Sequence, residues 1–174
     1  MRIHSWAKEI VLYLLLADNT GLRAIDVAGL QFDNIDWNKD KIRIVQHKTG
    51  RPLILPLDTP VGNAIADYIL NGRPEYDSPY LFLSMIRPFR PMLPNGIAGI
   101  VSRYIKKSGI ENNPSLRKGF HSFRRGMGTW LLEAEMPLAM IREILGHSHI
   151  DSTKGRPGHL AKQCRFEHRT NNHS

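Results

Sequence analysis

The sequence predicts an α+β fold, mainly α, with one small antiparallel β-sheet. Three observations carry this. Apolar residues recur at helical spacing in six stretches, at 7–17, 22–30, 59–70, 95–108, 121–133 and 137–145. Two short segments, 42–45 and 53–57, flank a polar loop containing glycine, which is the pattern of a β-hairpin. Hydrophobic residues make up 41% and charged residues 23% of the 174, so one domain can close a real core.

Taken in order, residues 7–17 (AKEIVLYLLLA) are apolar enough for a mostly buried helix. Asp18-Asn19-Thr20-Gly21 breaks it, since these residues suit a helix stop followed by a new cap. A second short helix over 22–30 has Ile25, Val27 and Leu30 as its apolar residues. Ile42 and Ile44 alternate with Arg43 in the first strand, and residues 53–57 form its partner. Between them His47-Lys48-Thr49-Gly50-Arg51 makes a polar turn with Gly50 available for positive φ and Lys48 at the tip. The helix over 59–70 is capped by Thr59, with Pro60 in its first position.

Residues 71–79 form a loop rich in turn formers, and 80–83 are a short apolar run. Three prolines over 87–94 make that stretch an exposed connection. Asn95 caps a helix to about Ser108, residues 110–119 are a polar loop, and Gly146 closes the helix over 137–145. Tyr13, Tyr68 and Tyr104 fall in apolar helical patterns and are expected in the core. From 154 to 174 no sustained period remains, so this segment is expected to be a disordered or aberrant tail.

Lys plus Arg is 24 against 16 Asp plus Glu, a net charge of +8 that points to a polyanionic partner, nucleic acid first. The single cysteine, Cys164, excludes an internal disulfide framework. The longest apolar run, 10–17, is far short of a membrane span, and the N-terminus does not resemble a secretion signal.

Four segments carry candidate chemistry. They are Thr20-Gly21-Leu22-Arg23, an arginine at a turn into a helix; Lys48 on the hairpin; His121-Ser122-Phe123-Arg124, where i and i+3 share a helical face; and Leu145-Gly146-His147, a histidine past a helix end. Alone, each has an ordinary reading: a solvated arginine, an exposed hairpin lysine, a surface His–Arg pair and a helix stop.

Together, in this order and setting, they resemble the catalytic domain of the tyrosine recombinase (phage integrase) family. The likeness spans residues 7–154 and rests on TGLR at 20–23, Lys48, HSFR at 121–124 and LGHSHIDST at 145–153. LQFDNIDW before the first strand and LFL at 81–83 support it. The resemblance implies the helical tyrosine-recombinase catalytic fold over 1–153, without the N-terminal DNA-clamping domain that family members carry. It implies breakage and rejoining of double-stranded DNA in integration or site-specific recombination, as in mobile elements. The partners would be duplex DNA and a second copy or an intact recombinase protomer, in the cytoplasm on the nucleoid.

Elementary chemistry agrees with that set. Phosphodiester cleavage piles negative charge on the non-bridging oxygens, and Arg23 and Arg124 can hold them by forked, charge-assisted hydrogen bonds. Lys48 on a hairpin can give a proton to the leaving 5′-oxygen. His121 and His147 can donate to the phosphate or shuttle protons near neutrality. No cofactor or metal is required. The family's nucleophile is a tyrosine, which its spacing after the LGH histidine puts at residue 156. Arg156 stands there, and no tyrosine follows Tyr104. A frameshift or truncated gene accounts for both the substitution and the loss of pattern after Asp151.

Two rival readings remain. A metal hydrolase would use His147 and His149, but no carboxylate cluster accompanies them, and His159, Cys164, His168 and His173 match no usual zinc spacing. A DNA-binding module without chemistry fits a phosphate cradle that lacks a nucleophile.

Overall fold

The computed structural model describes residues 5–108 and 119–145. Its elements are α1 (Ser5–Thr20), α2 (Ala24–Ala28), β1 (Ile35–Asp36), β2 (Lys41–Val45), β3 (Pro52–Pro56), α3 (Thr59–Asn71), α4 (Pro94–Lys107), α5 (Phe120–Glu133) and α6 (Leu138–Leu145). The fold is α+β and mainly α, with one small antiparallel sheet in the order β1-β2-β3. No described helix is long and apolar enough to cross a membrane.

The first helix runs three residues past its expected end at 17, into the expected break. Two polar side chains hold the last turn instead of ending it: Thr20 Oγ1 donates to the Leu16 carbonyl, and Asn19 Nδ2 to that of Leu15 at 2.9 Å. Gly21, at φ +59°, then terminates α1. The short second helix spans only five residues, beginning after Arg23, whose extended ψ of 152° makes it the N-cap. The third helix starts in the same manner after Asp58, with Pro60 in its first turn.

The sheet has a strand more than the predicted hairpin. A 3-10 turn at Phe32–Asn34 delivers Ile35 and Asp36 to pair with Ile42 and Lys41. Burial along β2 alternates strictly, with Ile42 and Ile44 inward and Lys41, Arg43 and Val45 outward. The apolar run 80–83 is not a strand of this sheet. Tyr80 bridges to Gln31 and Leu83 to Pro91, while Leu81, Phe82 and Leu83 are fully buried.

The core lies between α1, the inner sheet face, α3 and α4. Leu12, Tyr13, Leu16 and Ala17 meet Ile42 and Leu55, Val61, Ile65 and Tyr68, and Ile97 and Val101. A second, smaller cluster of Leu131, Ile141 and Leu145 joins α5 to α6. Tyr13 and Tyr68 are core residues as expected, but Tyr104 is only half-buried, under a Lys107 ammonium 5.7 Å from its ring. The predicted tail, 154–174, lies outside the described residues.

Candidate active site

The end of α1 and the first turn of α5 converge at Gly21. Its left-handed φ aims its carbonyl at α5, where Arg124 Nη1 donates to it at 2.6 Å. A side chain at this position would be refused twice, since a Cβ would lie 2.6 Å from Met127 Sδ and would occupy the left-handed region. Arg124 is itself buried, at 6% exposure, and its Nη2 finds no hydrogen-bond partner among the described residues.

Arg23 reaches the same place from the N-cap of α2. Its Nη2 lies 3.5 Å from the Leu145 carbonyl, at the end of α6. Its Nη1 lies 3.8 Å from Asp26 Oδ2, one turn on, with side-chain exposures of 12% and 1%. The two guanidinia are close enough to repel. Burial, and after it the charge of Arg23, push Arg124 down to about 10, while Asp26 opposes the shift. Among the described residues, one carboxylate therefore lies beside two cations, and Arg124 Nη2 is an unspent guanidinium donor. That is the electrostatic condition for holding an anion.

Asp26 is the residue that sequence reasoning missed. Besides facing Arg23, it accepts the backbone N–H of His47 at 2.9 Å. It thus ties the arginine pair to the hairpin between β2 and β3. The signal was present as an acid three residues after the arginine, on the apolar side of a short helix. The hairpin turn is closed by Gly50 N–H to the Gln46 carbonyl at 2.8 Å, Gln46 N–H to the Arg51 carbonyl at 2.9 Å, and Thr49 Oγ1 to Gln46 Oε1 at 2.8 Å. Gly50 has the expected positive φ, +64°. Lys48, next to the tethered His47, is exposed at the tip.

The structure therefore brings Arg23 and Arg124 together and anchors the backbone beside Lys48 to the same carboxylate. His121 is exposed in the first turn of α5, three residues before Arg124. His147 and Arg156 lie outside the described residues. Among the described residues, no group of three or more His, Cys, Asp or Glu could hold a metal ion.

The sequence model of the phage integrase family matches residues 3–163. A protein of Sinorhizobium fredii named as integrase/recombinase y4rA is 40% identical over 147 residues, covering 84% of this chain and 34% of that protein. The crystal structure of XerA recombinase superposes with a TM-score of 0.71 at 21% identity, covering 97% of this chain and 61% of that one. The Tn1549 transposon integrase, in complex with transposon right end DNA, superposes with a TM-score of 0.64 at 22% identity, covering 92% and 57%. The chain spans about a third of the length of y4rA.

Proposed function

The chain belongs to the phage integrase family, and from that premise we propose that it is the DNA-phosphate-binding catalytic domain of a tyrosine-type recombinase, in a copy without its nucleophile. The observation that carries this is the arginine pair. Arg23 pairs with the buried Asp26, whose charge also acts on the neighbouring Arg124, and among the described residues Arg124 keeps a buried donor unspent. A scissile phosphate between them would supply the missing acceptor. The similarity to an integrase bound to transposon DNA supports duplex DNA as the phosphate's source.

In this reading Arg23 and Arg124 hold the non-bridging oxygens and stabilise the charge that builds up on them. Lys48 protonates the leaving 5′-oxygen, and His121 and His147 donate to the phosphate. Residues 1–153 make up the domain. The attacking hydroxyl is lacking. Arg156 stands at its sequence position, and Tyr13 and Tyr68 are fully buried in the core.

A nicked suicide duplex tests this. The chain as it stands should bind the duplex and form no covalent adduct on a denaturing gel. Replacing 154–174 with a helical segment that carries a tyrosine at 156, and adding a DNA-clamping domain, should trap the cognate duplex covalently. Arg124→Ala in that chimera should abolish trapping. Adduct formation by the unaltered chain would overturn the missing-nucleophile reading, and a chimera that never traps its cognate site would overturn the cradle.

A further inference from the structure

One ionisable group is buried far from the arginine pair. Glu9 is the only carboxylate on the inward face of α1, at 2% exposure, next to the buried Ile10, Leu12 and Tyr13. Its Oε1 accepts the Tyr13 hydroxyl at 2.6 Å, one turn on. Phe82 packs against both Tyr13 and Tyr68 of α3, with ring centroids 4.7 and 5.4 Å apart, so the Tyr13 ring beside the carboxyl belongs to an aromatic cluster that joins α1 to α3. Among the described residues no Lys, Arg or His lies within ion-pair range of it. Lys8, its neighbour in sequence, is spent on Asp67 at the half-exposed rim between α1 and α3.

We propose that the buried Glu9–Tyr13 pair makes the packing of α1 against α3 proton-dependent, tight while Glu9 is protonated and loosened once it ionises. A buried carboxylate with no cation loses its hydration without compensation, so the neutral form is the one the site accepts. Burial pushes the Glu9 carboxyl up to about 7, and the Tyr13 hydrogen bond offsets part of that rise. Ionised Glu9 in turn pushes the Tyr13 and Tyr68 hydroxyls up, after burial as the larger cause. Among the described residues, the cation acting on the cluster is Arg73, which acts on Tyr68. Among the described residues, no charged side chain of α2, α4 or α5 acts on Glu9 itself.

The folded value lies above the ordinary 4.5, so the stabilisation is complete below about 4.5 and is lost as pH rises through about 7. The consequence reaches the arginines, because α1 ends in the Gly21 carbonyl that holds Arg124. A loosened α1 would present that acceptor less firmly.

The test is thermal unfolding of the wild-type chain and Glu9→Gln across pH 4.5–8, with a 13C titration of the glutamate carboxyls in the wild type. The wild-type midpoint should fall relative to Glu9→Gln by on the order of 5 °C over that range. One carboxyl should titrate near 7, and Tyr13→Phe should move that resonance higher by removing the bond that favours ionisation. Parallel unfolding curves, or seven glutamates all titrating in the ordinary range, would overturn the proton dependence. If Glu9→Gln fails to fold, the wild-type and Tyr13→Phe titrations decide it.

Discussion

Gly21 shows how one residue links a helix end to the site. Its φ of +59° is what lets α1 stop and what turns its carbonyl toward Arg124. Alanine there would enter the left-handed region at a cost of about 1–2 kcal/mol and would crowd Met127 Sδ. Gly21→Ala should therefore lower unfolding stability by at least that much in urea, and Met127→Ala in the same chain should return part of the loss. A Gly21→Ala chain as stable as the parent would refute the close approach. At this scale Arg23 and Arg124 were legible from TGLR and HSFR, because charge and spacing are properties of the chain. Asp26 was not, since its importance comes from the His47 amide brought to it across 21 residues.

Among the elements, the hairpin matters most to the site. Its outward residues on β2 are exposed, and its turn is closed by its own backbone and Thr49. Among the described residues, the turn is tied to α2 by His47 N–H to Asp26. Hydrogen bonds to a charged acceptor contribute about 1.5–3 kcal/mol. Asp26→Ala should cost stability of that order and speed amide exchange locally over residues 46–51, leaving the core of α3 protected. Unchanged exchange at His47 would show that the hairpin holds itself in place without Asp26. The hairpin and most helices were legible because burial of one face imposes a period on the sequence. β1 was not, because two residues are too few to show a period and its pairing depends on the 3-10 turn before it. The end of α1 was misjudged for a related reason: Asn19 and Thr20 suit a cap in isolation, yet here their side chains bond back to the helix.

At the scale of the whole molecule, the net charge of +8 sets how the chain meets a polyanion. Between Ser78 and Lys107 there are five basic residues and no acidic one: Arg87, Arg90, Arg103, Lys106 and Lys107. Binding to duplex DNA should weaken steeply with salt, because phosphate contacts release counterions. Titrations at several salt concentrations should give a log–log slope that Arg124→Ala reduces by about 1, the value for one lost phosphate contact. Binding that does not respond to salt would remove the phosphate reading of the site. An Arg124→Ala slope equal to that of the parent would remove Arg124 from the contact.

The sequence by itself determined the fold class, the order of the helices, the hairpin, the family and the positions of the two arginines. Each follows from local periodicity, turn chemistry or motif order. Only the tertiary structure decided that the two guanidinia lie beside one carboxylate, that this carboxylate also holds the hairpin, and that Glu9 is buried in the core. Such facts depend on which elements pack together, and desolvation and Coulomb energy act over distances of a few ångströms in space. Residues 21, 26, 47 and 124 are neighbours in that sense and far apart along the chain.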